Sequence, residues 1–263
     1  MYIDTHAHLY GEEFRADVDS VVIRARQAGA IKVVLPSEND SAAVQAEELS
    51  QRYPHFFYPM LGLHPEDLPE NYKEILSGME KRLQQKDHPF VGIGEVGLDL
   101  YWDDTRKEEQ KEAFRIQIEW ALKYHLPLMI HSRSAHRELV ESLNPYKGEA
   151  LLQGVFHCFT GTSEEAEELL SEFPNFVLGI GGVLTFKKST LAEVLEQSVP
   201  LERIVLETDS PYMAPVPHRG KRNEPSFLPE VIARLAQIYQ VPKSRIEEIT
   251  TENAMRVISR LAF

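Results

Sequence analysis

Eight short apolar runs, separated by charged segments with helical spacing, constrain this chain more than any other feature of its sequence. The runs are Tyr2–Thr5, Ile31–Leu35, Phe56–Leu63, Phe90–Gly94, Pro127–Ile130, Leu151–Phe156, Phe176–Ile180 and Arg203–Leu206. They lack clean polar alternation, as strands do when both faces are buried in a parallel sheet. Between them, Arg106–Tyr124 places Phe114, Ile118, Ala121 and Leu122 on one helical face, and Ala166, Leu169, Leu170 and Phe173 mark a shorter helix. Thr105 with Glu108, and Ser244 with Glu247, read as helix-starting capping boxes. Strands alternating with helices require right-handed crossovers and a parallel sheet. Eight such units in 263 residues predict an α/β fold, a closed (β/α)8 TIM barrel, with a doubly wound sheet as the structural alternative. No linker, low-complexity tract or charge block interrupts the pattern, so residues 1–263 are expected to form a single domain.

Composition narrows the function classes. Twenty-eight basic against 41 acidic residues give a net charge of −13, which argues against a protein that coats nucleic acid non-specifically. It leaves a nuclease open, because bound cations can supply positive potential at a site. A single cysteine makes no internal disulfide or thiolate zinc site. With no secretory pattern at the start and no apolar stretch long enough to span a bilayer, the chain is expected to be cytoplasmic, without membrane contact.

The polar residues just beyond the apolar runs carry the chemistry. His6 and His8 follow the first run and His64 the third; the fourth strand is expected to end at Glu95, the fifth at His131, the sixth at His157 and the eighth at Asp209. Each alone reads more readily as a satisfied structural group than as a functional one, but seven on one predicted rim match the end of a barrel where active sites are built. His6 and His8 are two apart, so on a strand both imidazoles share a face and can reach one ion. Asp209 adjoins them on closure of the barrel. Glu95 lies across the mouth, where its two oxygens can bridge, and His131 and His157 on adjacent strands can complete a second site. This donor set suits a two-metal centre with open positions.

The ordered motifs Ile3-Asp4-Thr5-His6-Ala7-His8, Gly62-Leu63-His64-Pro65, Gly94-Glu95-Val96-Gly97-Leu98-Asp99, Ile130-His131-Ser132-Arg133, His157-Cys158-Phe159-Thr160-Gly161, Glu207-Thr208-Asp209-Ser210-Pro211-Tyr212 and Arg219-Gly220-Lys221-Arg222-Asn223-Glu224-Pro225 resemble those of the TatD-type deoxyribonucleases, a branch of the amidohydrolase-like metal-dependent hydrolases. The resemblance implies that His6, His8, Glu95 and Asp209 hold one metal and Glu95, His131 and His157 a second. Some relatives in the wider superfamily bridge their ions with a modified lysine; Glu95 at that position argues against a urease- or dihydroorotase-like assignment. The resemblance also implies a 3′→5′ exonuclease on single-stranded DNA. Imidazole-rich ligation favours Zn, Mn, Ni or Co, whereas the family is usually described as magnesium-dependent. Two divalent cations are therefore expected, with Mg or Mn supporting turnover and Zn co-purifying.

Asp209 is the candidate to accept the nucleophile's proton; the opposing assignment needs no protein base. Glu207 is a candidate to orient a ligand, or a strand-end ion pair. His64, Arg133, Arg219, Lys221 and Arg222 are candidate phosphate contacts, the last three alternatively a solvated basic loop. Tyr101, Trp102 and Tyr212 are placed to stack on a base or to pack locally. Cys158 reads as a buried small apolar residue rather than a nucleophile, and His55, His88, His125, His136 and His218 receive no role. The expected partners are single-stranded DNA or short nucleic-acid ends, with no obligate protein partner. A small-molecule amidohydrolase or deaminase is the alternative enzyme, and a metal-loaded binding scaffold the non-enzymatic one.

Overall fold

The computed structural model describes residues 1–262. Each expected run yields a strand: β1 (Tyr2–Asp4), β2 (Ala30–Leu35), β3 (Phe57–Pro59), β4 (Ile93–Asp99), β5 (Leu128–Arg133), β6 (Gly154–Phe156), β7 (Phe176–Ile180) and β8 (Ile204–Leu206). One helix follows each of the first seven: α1 (Val18–Ala28), α2 (Asp40–Arg52), α3 (Tyr72–Leu83), α4 (Lys107–Tyr124), α5 (His136–Leu143), α6 (Ser163–Glu172) and α7 (Leu191–Ser198). Two helices, α8 (Leu228–Ile238) and α9 (Lys243–Val257), follow β8.

All strand pairs are parallel, in the order β1-β2-β3 and β4-β5-β6-β7-β8. Two seams join these sheets into a ring. At one, Thr5 N–H donates to the Leu206 carbonyl (2.9 Å) and Ala7 bridges Ser210. At the other, Val91 N–H donates to Pro59 (2.9 Å), Gly94 N–H to Leu61 (3.0 Å), and Leu61 bridges Ile93. The result is the (β/α)8 barrel that the strand count predicts.

Ile3, Val34, Tyr58, Val91, Met129, Val155, Val177 and Val205, one from each strand or the residues leading into it, form a single buried cluster with Ala254, Val257, Ile258 and Leu261. These residues fill the lower lumen, and α9 with the turn after it closes the floor. Their strand neighbours, including Val33, Leu35, Leu128, Ile130, Leu178 and Ile180, belong to the larger cluster under the helices. The two-residue period of a strand is therefore present but invisible in the sequence, since both faces are apolar.

Three local expectations change. β4 runs through to Asp99 and β5 to Arg133, and the two end paired, so Glu95 and His131 are inside their strands rather than at their ends; Asp209 lies three residues past the end of β8. Neither expected capping box forms. Thr105 donates through its N–H and hydroxyl to Asp103 (2.8 and 2.6 Å), a local bond that competes with capping. Helix α9 begins directly after Pro242, which leaves Ser244 inside it. The capping box that does form is Thr162 with Glu165 on α6.

Candidate metal centre

The other six rim residues converge around Glu95, which is almost fully buried. Its Oε2 lies 3.2 Å from His6 Nε2 and 3.4 Å from His8 Nε2. Its Oε1 lies 2.8 Å from His157 Nε2, 3.0 Å from His131 Nδ1 and 3.4 Å from His64 Nε2. Asp209 Oδ1 closes the first group, 3.8 Å from His6 Nε2 and 3.7 Å from His8 Nε2. Asp209 has a φ of 56°, a left-handed conformation unusual for a residue with a Cβ, and its N–H donates to the His6 carbonyl (2.9 Å). That bond sets the eighth-strand loop against the first.

The donor chemistry fits metal ions. The Nε2 atoms of His6 and His8 are 3.0 Å apart, and His131 Nδ1 is 3.3 Å from His157 Nε2. Neutral imidazole lone pairs this close repel unless a proton or a cation lies between them, and a divalent cation satisfies both at once. Burial alone would raise the Glu95 carboxyl, but His157, His6 and His64, with a hydrogen bond from His131, outweigh it and hold the group well below the usual carboxylate range. The ionised carboxylate is the form that binds metal.

A second layer of bonds orients the imidazoles. The hydroxyl of Tyr10 donates to the Pro36 carbonyl (2.9 Å), so it accepts from His8 Nδ1 (2.8 Å) and leaves the Nε2 lone pair facing Glu95 and Asp209. Asp99 Oδ2 accepts from His131 Nε2 (2.8 Å), which leaves Nδ1 as the free donor atom. His64 has the opposite arrangement. Its Nδ1 accepts from the Glu66 N–H (3.2 Å), so its neutral ring carries the proton on Nε2 and offers a hydrogen bond toward the centre rather than a lone pair. Glu207 lies behind His157, with Oε1 3.6 Å from Nδ1 and accepting from the Cys158 N–H, while its Oε2 is buried without a partner. Gly179 makes room for that carboxylate: a Cβ there would sit 2.0 Å from Glu207 Oε2. Asp4, fully buried, accepts from the N–H of His6 (3.2 Å) and from the N–H and hydroxyl of Thr208 (3.0 and 2.7 Å), tying both ligand-bearing loops together. Burial pushes its carboxyl up to about 7.

Tyr10, Asp99 and Asp4 went unassigned in the sequence. Asp99 carried a usable signal, since residues 95, 97 and 99 share a face of β4, with Gly97 between them at a φ of 138°. Any side chain at Gly97 would collide with the His131 backbone, so the glycine allows β4 to approach the histidine that Asp99 holds.

The proposed cations scatter. Arg133 is exposed, with its guanidinium 3.8 Å above the Tyr101 ring. Arg219 stacks on Phe186 (3.7 Å) and Lys221 is exposed. Arg222 is different: it makes a two-pronged pair with Asp17 (2.9 and 2.7 Å), donates to the Glu13 carbonyl and lies over Phe14. Cys158 is half-buried beside His157, and burial with the nearby carboxylates Asp209, Glu207 and Glu95 pushes its thiol up, against a nucleophilic role.

A family profile of TatD-related DNases matches residues 3–259. The sequence is 38% identical to the uncharacterized metal-dependent hydrolase YabD of Bacillus subtilis (strain 168), with 98% of each chain covered. It is 33% identical to the 3′-5′ ssDNA/RNA exonuclease TatD of Pectobacterium parmentieri, over 98% of this chain and 99% of that one. The crystal structure of YjjV, the TatD homologue of Escherichia coli K12, superposes with a TM-score of 0.90 at 30% identity, covering 97% of each chain. Among the described residues no helix is long and apolar enough to cross a membrane.

Proposed function

The chain belongs to the TatD-related DNase family and is a hydrolytic enzyme of the metal-dependent kind; from that premise we propose that it is a 3′→5′ exonuclease of single-stranded DNA working with two divalent cations. The division of Glu95 carries this reading: one oxygen serves the His6–His8 pair, the other serves His131 and His157. His6, His8 and Asp209 with Glu95 Oε2 would hold one ion, and His131 and His157 with Oε1 the other. Bound ions there supply charge neutralisation and water activation, from which a phosphodiester gains most because charge develops on several of its oxygens.

The remaining work falls to side chains. Asp209 stands at the open edge of the site, its side chain 16% exposed, and takes the proton of the attacking water. His64 directs its Nε2–H at a non-bridging phosphate oxygen. Arg133, Arg219 and Lys221 meet the flanking phosphates. Arg222, held by Asp17, steadies the loop that carries Arg219 and Lys221. Asp99, Tyr10 and Glu207 keep their histidines turned toward the centre. We place the enzyme in the cytoplasm as one catalytic unit, with Mg or Mn supporting turnover and Zn co-purifying.

The test is a 5′-labelled single-stranded DNA oligonucleotide incubated with Mg²⁺, Mn²⁺ or EDTA, for wild type beside Asp209→Asn. A metal-dependent ladder shortening from the 3′ end, lost in the variant, is expected. A ribo-oligonucleotide of the same sequence shows whether the activity extends to RNA. No cleavage with any metal, in a protein holding two ions by elemental analysis, would overturn the nuclease reading and direct attention to amide substrates.

A further inference from the structure

Large apolar side chains are rarely left in water together without a use. In this chain Tyr101 (54% exposed), Trp102 (72%), Tyr212 (55%), Met213 and Val216 project from the loops that follow β4 and β8. In a ring of eight strands these two loops stand on opposite sides of the mouth, with the carboxylate of Glu95 and that of Asp209 between them.

Both groups are tethered to the centre. Tyr101 N–H donates to Asp99 Oδ1 (3.0 Å), whose other oxygen holds His131. Across the mouth, Tyr212 N–H donates to the Asp209 carbonyl (2.8 Å). The Tyr101 and Trp102 rings meet edge to face at 4.7 Å, and the Arg133 guanidinium lies 3.8 Å from one ring centroid and 5.4 Å from the other. Flat aromatic faces beside a planar cation, at the lip of a phosphodiester site, match what an unpaired base and its phosphate offer. A duplex end presents its bases already stacked and paired, so it offers these faces less.

We infer that Tyr101 and Trp102, with Arg133, form a stacking platform for unpaired bases at the 3′ end of the substrate, with Tyr212 facing them across the mouth. This rests on the nuclease reading and deepens it: the platform selects single-stranded over duplex ends and tolerates any base, since every base has a π-face.

The test compares a single-stranded oligonucleotide with the same strand carrying abasic residues at its two 3′-terminal positions, for wild type, Tyr101→Ala/Trp102→Ala and Trp102→Phe. The double variant should lose about tenfold in kcat/KM on the normal strand, within the range of base–aromatic stacking, and match wild type on the abasic one. Trp102→Phe, which keeps a ring, should retain most of the rate. An independent readout is fluorescence in EDTA: Trp120 is buried, so oligo(dT) should quench mainly the exposed Trp102, and an abasic strand should not. Equal losses on both strands, loss on neither, or no base-dependent quenching would overturn the platform. A wild-type dimer that dissociates in the double variant, without a base-dependent change, would assign the patch to a second copy and also overturn it. Quenching by oligo(dT) without cleavage by any metal-loaded form would leave the platform standing and remove the nuclease reading.

Discussion

Met129 and His131 are two residues apart on β5, and both face the lumen, yet they serve opposite ends of it. The same step separates Val155 of β6 from His157, and Val205 of β8 from Glu207, each the first residue past its strand. The lower member of each pair packs against α9 in the apolar floor; the upper belongs to the proposed metal centre or supports it. Burying a side chain such as Met129 stabilises the fold by about 1.5–3 kcal/mol. Gathering imidazoles and carboxylates in the mouth does the reverse unless each is paired or metal-bound. Stability and chemistry are thus divided along the barrel axis, within single strands, and the floor and helix layer offset what the mouth costs.

The sharpest break of that division is Glu95→Gln. It should weaken both proposed ion positions at once, so activity should fall further than in any single-histidine variant and beyond the roughly 10²–10⁴-fold expected on loss of Asp209, the proposed general base. Elemental analysis should show both ions depleted while the melting temperature of the metal-free protein does not fall. An effect weaker than that of His6→Ala would remove the bridging role.

Next in size is the paired experiment on β5. Met129→Ala should cost about 2–5 kcal/mol in denaturant titrations and leave the metal content and specific activity of the folded protein intact. His131→Ala should give the converse, with metal and activity lost and little stability. Activity loss in both would show that floor and mouth are coupled.

Smaller effects are expected behind the ligands. Asp99→Asn can donate rather than only accept, so it ceases to enforce the His131 tautomer; metal affinity or activity should drop about 10–100-fold. Tyr10→Phe should act on His8 in the same direction, since its ring cannot accept from Nδ1. Metal titration followed by calorimetry checks both.

The smallest concerns Arg222. Its hydrogen bond holds the Asp17 carboxyl below its ordinary value. A depressed folded value means the pair contributes above the unfolded carboxylate pKa, about 3.9, and its contribution fades as pH falls through the folded one. Arg222→Ala should therefore lower stability at pH 7 by about 0.2–1 kcal/mol, with the two proteins converging as pH falls below the folded value of Asp17. KM for oligonucleotides should rise less than in Arg219→Ala or Lys221→Ala; the opposite ranking would return Arg222 to the substrate.

His6, His8, His64, Glu95, His131, His157 and Asp209 were legible because each interrupts or follows an apolar run, and a parallel barrel brings all such interruptions to one rim. Arg222 was not distinguishable from Arg219. Both sit in one basic tetrapeptide, and the difference is made by Asp17 at the start of α1, far away in sequence. The split between His64 and His131 was equally hidden. It depends on whether a backbone N–H or a carboxylate meets the far side of each ring. β4 was placed too early because Gly94 and Glu95 look like a strand end, while pairing with β5 carries the ladder on to Asp99.

What the sequence by itself determined was the barrel and the convergence of donors at its mouth, because strand and helix periods and the position of a polar residue relative to its apolar run are local properties. The tertiary structure decided the tautomers, the orientation of each ring, the division of Glu95 and which arginine stays free. The His131 tautomer depends on Asp99, brought beside it by β4–β5 pairing, and the free arginine on Asp17, brought beside Arg222 when the barrel closes; no local pattern encodes the identity of a neighbour so far away in the chain.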